Sequence, residues 1–327
     1  MRVAVIGAGS WGTTVASLVA ARTPTLLWAR RSDLARTITE SRENPDYLPG
    51  MALPDMLEAT ADLERVASCD VIFMAVPSHG FREVLRTLPL SADQPIISLT
   101  KGIEQQTLKR MTEVVGEVLP GHDSVRIGVL TGPNLAREVM AGWPAAAVVA
   151  MADPDTAARI QELVMGPTFR VYTNPDLVGC ETAGALKNVM AIASGMSAGM
   201  GFGDNTRATL ITRALAELTR LGVAMGGNEM TFAGLAGMGD LIATCVSAHS
   251  RNHQVGRALA EGKVLSEIIA DMKMVAEGVK STRAVLALAD RHKVEMPIAH
   301  QVGRVLYDDA PPGEALLDLM TRSARSE

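Results

Sequence analysis

Three glycines, Gly7, Gly9 and Gly12, follow the apolar run Val3–Ile6 without a gap and lead into the helical pattern of SWGTTVASLVA. An apolar run, a G-x-G-x-x-G spacing and a helix in direct succession leave few options besides a strand, a tight turn and a helix packed back onto that strand. Each glycine then has its own task. Gly7 permits the turn, Gly9 lets the backbone approach a pyrophosphate, and Gly12 lets the helix lie close to the strand. The helix N-terminus faces the anion, and Ser10 and Trp11, set between the glycines, fall in the same nucleotide site.

The pattern continues as an α/β alternation. Short apolar runs at Val3–Ile6, Thr25–Trp28, Val71–Ala75, Pro95–Leu99, Val125–Leu130, Ala146–Ala150 and Phe169–Thr173 are separated by helical segments, which predicts βαβ units and a mainly parallel sheet. After Asn174-Pro175 the strand signal stops. Asn205–Arg220, Val255–Glu261, Leu265–Met272 and Thr282–Arg291 carry apolar residues at three- and four-residue spacing. The fold class expected is an N-terminal Rossmann-type domain over residues 1–174 followed by an all-α domain over 175–327. A chain of 327 residues has room for two such cores.

Composition narrows the partners. The net charge is −5 and no basic stripe occurs, which argues against nucleic acid. Cys69, Cys180 and Cys245 have no C-x-x-C spacing, so neither a disulfide framework nor a zinc site is expected, and a reducing cytoplasm fits. The six histidines lack metal-ligand spacing, and no metal is expected. The opening MRVAVIGAG reads as a strand rather than a signal peptide. No run of about 18 uncharged apolar residues marks a membrane span.

Past the second strand, where an NAD enzyme often carries an acidic residue, the chain has Arg30-Arg31. Arginines there pair with a 2′-phosphate, so NADPH/NADP+ is expected to be preferred, with NADH/NAD+ possible. A solvated basic loop is the alternative, and Asp33 is a candidate acidic substitute.

The blocks GAGSWGT (Gly7–Thr13), LTKGIE (Leu99–Glu104), TGPNLAREV (Thr131–Val139), GALKNV (Gly184–Val189), GDNTRA (Gly203–Ala208), GLAGMGDLIATC (Gly234–Cys245), SRNHQVG (Ser250–Gly256) and VAEGVKS (Val275–Ser281) occur in that order. In this set and order the chain resembles the bacterial glycerol-3-phosphate dehydrogenase family over nearly its whole length. Thr131, where serine is commoner, is a conservative departure.

The resemblance implies roles residue by residue. Lys187 is the acid/base, a role that burial and a neighbouring cation would support, with Lys101 the candidate cation. Lys101 follows a strand at its C-terminal end and touches both cofactor and substrate. Asp240 orients Lys187 or accepts a hydrogen bond from substrate, with a helix cap as the alternative. Ser250, Arg251 and Asn252 offer a hydroxyl, a forked cation and an amide to a phosphate monoester, and Arg251 also reaches the cofactor. Ser250 read alone is a helix cap. Gly132 and Asn134 approach the substrate, Ala136 the nicotinamide, and Val275 and Glu277 the cofactor. Glu277 could equally cap a helix beginning near Lys280.

The function so implied is reversible hydride transfer between NADPH and dihydroxyacetone phosphate, giving sn-glycerol 3-phosphate for phospholipid synthesis. It would proceed in a cleft between the two domains of a cytoplasmic homodimer. A ketopantoate- or phosphogluconate-type dehydrogenase and a non-catalytic NADPH-binding sensor are the rival readings.

Overall fold

Val3–Ile6 (β1) is buried at every position, and its side chains divide by parity. Val3 and Val5 enter one apolar cluster with Val15 and Val19, while Ala4 and Ile6 enter another with Phe81 and Leu85. A parallel strand covered on both faces must be apolar throughout, which is why it reads as an uninterrupted run. The structure, a computed structural model, describes residues 1–272 and 276–323.

The remaining strands are Thr25–Trp28 (β2), Glu43–Asn44 (β3), Leu48–Ala52 (β4), Leu57–Thr60 (β5), Val71–Met74 (β6), Ile96–Ser98 (β7), Ile127–Thr131 (β8), Ala145–Met151 (β9) and Phe169–Asn174 (β10). Eight of them form one sheet in the order β10-β9-β8-β7-β6-β1-β2-β5, parallel except where β8 meets β9. From β1 the chain builds outward through β2 and β5, then returns to place β6 on the other side. The strand order therefore reverses at β1, and in open α/β sheets the crevice beyond the strand ends at such a point receives the ligand.

All seven strands expected from the sequence are present. Three others are not anticipated by it. β5 is an edge strand of composition LEAT, and its exposed Glu58 is held by Arg65 at 2.8 and 2.9 Å. Edge strands need charge rather than apolar alternation. β3 and β4 form a separate antiparallel pair.

By compactness the chain divides into residues 1–101 with 109–181, and residues 102–108 with 182–327. The sequence boundary at Asn174 coincides with the end of β10. The first turn of the following helix, Leu177–Gly199, still counts with the sheet unit, while the short segment 102–108, whose Ile103 lies in the helical core, counts with the second.

Apart from the irregular segment 102–108, the described residues of the second unit are organised as helices joined by turns. Leu177–Gly199 runs for 23 residues through a stretch whose glycines make it look interrupted in sequence. Those glycines serve packing. A Cβ on Gly195 would overlap the carbonyl oxygen of His253, and one on Gly256 would overlap that of Ile192. The helix Arg251–Ala260 therefore lies backbone to backbone against Leu177–Gly199. Glu217, on Asp204–Ala224, is 1% exposed and accepts from the amides of Ile298 (2.8 Å) and Ala299 (3.3 Å), which opens the helix Pro297–Tyr307. Among the described residues no single helix is long and apolar enough to cross a membrane.

Candidate active site

In the sheet unit the site begins where β1 ends. Gly7 has φ +118°, and a Cβ there would come 2.7 Å from the carbonyl oxygen of Ala75, just past β6. A Cβ on Gly12 would overlap the carbonyl oxygen of Gly7 itself, whereas one on Gly9 would meet nothing within 4 Å among the described residues. Two glycines are thus required by the fold, and the third lines open space. The helix Ser10–Ala20 starts directly after Gly9 with no acidic residue in its first turn, so its N-terminal amides and dipole keep their affinity for an anion. This arrangement suits the pyrophosphate of a dinucleotide. Trp11 stacks obliquely on Phe169, centroids 6.3 Å apart, and its buried Nε1 has no acceptor among the described residues.

Sequence reasoning missed the residue that fixes this turn. Asn44 is fully buried on β3, and its Nδ2 donates to Ala8 O at 2.9 Å and to Thr13 Oγ1 at 2.8 Å. An asparagine in a two-residue strand carries no periodic signal, which hides it in the sequence.

Arg30 and Arg31 follow β2 and are both exposed. Arg31 precedes the helix Ser32–Ser41 and is ion-paired with Asp46. Arg30 has no hydrogen-bond or ion-pair partner among the described residues. Asp33 lies in the first turn of the same helix.

Lys101 follows β7, and its Nζ donates to the carbonyl oxygen of Gly132 at 2.8 Å. Gly132 has φ +126°, with β9 backbone close behind it. Asn134, two residues on, has both side-chain polar atoms buried and without a partner among the described residues. Most such atoms in proteins are satisfied, so this amide is poised for a ligand. Ala136 opens the helix Ala136–Met140, and its carbonyl oxygen accepts from Thr14 Oγ1 at 3.5 Å.

In the helical unit Lys187 projects from the middle of Leu177–Gly199 and is only 5% exposed. Its Nζ lies 2.8 Å from Asp240 Oδ1 and also donates to Thr244 Oγ1, whose own hydroxyl donates to Asp240 Oδ1 at 3.2 Å. The three form a closed buried triangle. Asp240 opens the helix Asp240–Val246, but the preceding Gly239 already has helical angles and ends a π-helical segment, Leu235–Gly239, so the capping alternative does not hold. A π-turn beside functional residues is a recurrent arrangement. Thr244 was missed in sequence, although its i+4 spacing from Asp240 within GDLIATC puts both on one helix face. Burial pushes the neighbouring Cys245 thiol up to about 12, which leaves it unreactive.

Ser250, Arg251 and Asn252 stand at the start of Arg251–Ala260. Ser250 is the helix cap, its Oγ accepting from the amide of His253 at 3.3 Å. Asn252 is 7% exposed, and its Nδ2 donates to Asn188 Oδ1 at 3.0 Å while its Oδ1 accepts from Gly278 N at 2.9 Å. These bonds tie the turn that carries Arg251 to the residue next to Lys187. Burial, with Arg207 and Arg257 nearby, lowers the pKa of His253. Glu277 is the first residue of the helix Glu277–Arg291, which therefore begins there and not near Lys280. Val275 lies outside the described residues.

Residues 2–157 match the family described as NAD-dependent glycerol-3-phosphate dehydrogenase N-terminus, and residues 176–317 match its C-terminus. The chain is 57% identical over 305 residues to a glycerol-3-phosphate dehydrogenase (NAD(P)+) of Sphingopyxis alaskensis, covering 92% of this chain and 91% of that one. A glycerol-3-phosphate dehydrogenase (NAD(P)+) of Thermobifida fusca is 50% identical over 333 residues, covering 100% of this chain and 98% of its own. Among solved structures, glycerol-3-phosphate dehydrogenase from Coxiella burnetii superposes with a TM-score of 0.92 at 38% identity, covering 98% of this chain and 99% of that one.

Proposed function

The chain belongs to the NAD-dependent glycerol-3-phosphate dehydrogenase family, and on that premise we propose that it interconverts dihydroxyacetone phosphate and sn-glycerol 3-phosphate with NADPH preferred and NADH as the alternative. The observation that carries this reading is the buried pair of Lys187 Nζ and Asp240 Oδ1 at 2.8 Å. A buried ammonium is costly unless it is paired and hydrogen-bonded. Its retention beside one carboxylate and one hydroxyl suits an acid/base group.

When bound, the reduced nicotinamide supplies the hydride. Lys187 gives its Nζ proton to the oxygen on C2 as the ketone becomes a secondary alcohol, and takes a proton from that hydroxyl in the reverse direction. Asp240 and Thr244 hold the ammonium in place through both steps. Arg251, with Ser250 and Asn252, holds the substrate phosphate, so binding remote from C2 orients the carbonyl. Asn134 and the Gly132 backbone contact the substrate, and Lys101 contacts both substrate and cofactor. Gly7, Gly9, Ser10, Trp11 and Gly12 form the pyrophosphate cradle, and Arg30 and Arg31 face the 2′-phosphate. Ala136, Arg251, Glu277 and Val275 complete the cofactor contacts on the strength of the family motifs.

Residues 1–174 serve as the dinucleotide domain and 175–327 as the substrate domain. The protein acts in the cytoplasm as a homodimer and feeds phospholipid synthesis. The dimer reading is supported by an exposed apolar stripe, Met238, Ile242 and Val246, at four-residue spacing along one helical run. The test is the rate at which purified protein consumes NADPH or NADH with dihydroxyacetone phosphate. Rapid consumption favouring NADPH is the expected result, and no turnover with either nucleotide would overturn the reading.

A further inference from the structure

Arg31 is not a bare cation. Its guanidinium is ion-paired with Asp46, whose hydrogen bond and charge, with the nearby charge of Asp33, hold it firmly charged. Asp46 lies in the turn between β3 and β4, and that turn is anchored. Asn44, two residues earlier, is bonded to Ala8 and Thr13 of the glycine turn. Tyr47 N donates back to Asn44 O at 3.3 Å, and the Tyr47 side chain packs on the apolar cluster beneath. Glu43 Oε1 accepts from Gly50 N at 2.7 Å across the base of the hairpin. The element that shapes the pyrophosphate cradle thus also holds a carboxylate against the arginine assigned to the 2′-phosphate.

We propose that Asp46 is a specificity-determining residue, competing with the 2′-phosphate of NADPH for Arg31 and so moderating the preference for NADPH over NADH. The inference rests on the assignment of Arg31 to the 2′-phosphate. A phosphate bound at Arg31 must displace Asp46 or lie beside a like charge. A 2′-hydroxyl leaves the pair intact. Both partners are about half exposed, 53% and 46%, so the pair is weak enough for a phosphate to displace it. The repulsion that remains is screened by salt.

The test measures binding of adenosine 2′,5′-bisphosphate and adenosine 5′-monophosphate by calorimetry at low ionic strength to the wild type, Asp46→Asn and Arg31→Ala. The kcat/KM values for NADPH and NADH accompany it. Asp46→Asn is expected to tighten the bisphosphate by about three- to tenfold relative to the monophosphate, and to raise the NADPH/NADH ratio in the same sense. Equal tightening of both probes would mean that Asp46 acts on the cradle as a whole, which overturns the proposal. A weakened bisphosphate in Arg31→Ala with no change in Asp46→Asn overturns it too, but leaves Arg31 in place. An unchanged bisphosphate in Arg31→Ala removes the Arg31 assignment and this inference together.

Discussion

Lys187 Nζ and Asp240 Oδ1 lie 2.8 Å apart inside the helical unit, on two different helices, although the residues are more than 50 positions apart in the chain, and Thr244 bonds to both. Deleting one partner of a buried pair strands the other charge, at a cost of about 3–5 kcal/mol, whereas removing both is close to neutral. Lys187→Met is therefore expected to lower both kcat and thermal stability. The double variant Lys187→Met/Asp240→Asn should recover stability without recovering turnover. The kcat loss should be about 10²- to 10⁴-fold, the range for a general acid, with NADPH binding retained. Turnover kinetics and melting curves on the two variants check this, and activity returning with stability would remove Lys187 from the proton transfer.

Thr244 gives a finer test of the same triangle. Thr244→Val keeps the shape of the side chain but removes an acceptor for Lys187 and a donor to Asp240, a loss of about 1–3 kcal/mol at a buried site. The ammonium should be less well held, with kcat falling by about one order of magnitude and the KM for dihydroxyacetone phosphate changing little. A rise in KM at constant kcat would place Thr244 in substrate binding instead.

The three glycines of the turn should separate fold from function. A methyl on Gly12 collides with the Gly7 carbonyl, so Gly12→Ala is expected to unfold or strongly destabilise the sheet unit. On Gly9 the methyl enters open space. Gly9→Ala should melt within a few degrees of the wild type while binding NADPH more weakly by about 1–3 kcal/mol, the usual range for overpacking. Unimpaired NADPH binding by Gly9→Ala would mean that the pyrophosphate does not lie there.

How much of this was legible in sequence depends on how local each cause is. Val3–Ile6 and the glycines were readable because a strand, a turn and a helix that touch one another are also adjacent in the chain. The edge strand Leu57–Thr60 was not, since its pairing with β2 is set by tertiary position and its residues, Glu58 above all, suit an edge. Leu177–Gly199 was obscured because its glycines look like helix breakers until the helix packed against them is known. The excursion of residues 102–108 into the helical unit had no compositional mark. Within the site, motif order placed Lys187 and Asp240 in one family pattern. The Thr244 bridge, the Asn252 bonds to Asn188 and Gly278, and the Asn44 clamp each depend on a partner distant in sequence.

Glu217 should make stability depend on pH in a direction opposite to that of most carboxylates. Burial raises its pKa from 4.5 to about 7, against the lowering effect of the Ile298 and Ala299 amides that it caps. Below the unfolded value both states are protonated, and the contribution of this group is fully present. As pH rises, the unfolded chain ionises first, the native state then binds more protons, and stability falls by about 1.4 kcal/mol per pH unit until the folded value is passed. Glu217→Gln keeps one accepting oxygen, enough for the shorter bond from the Ile298 amide, and removes the titration; its cost at the Ala299 amide is the same at every pH. Other ionisable groups affect both proteins alike, so the difference between their melting temperatures isolates Glu217. The variant is expected to gain several degrees on the wild type at pH 8 relative to its position at pH 4.5. An equal difference at the two pH values would show that the carboxylate ionises as freely in the fold as in the unfolded chain, with the helix end at Ile298 supplying enough charge compensation to cancel its burial.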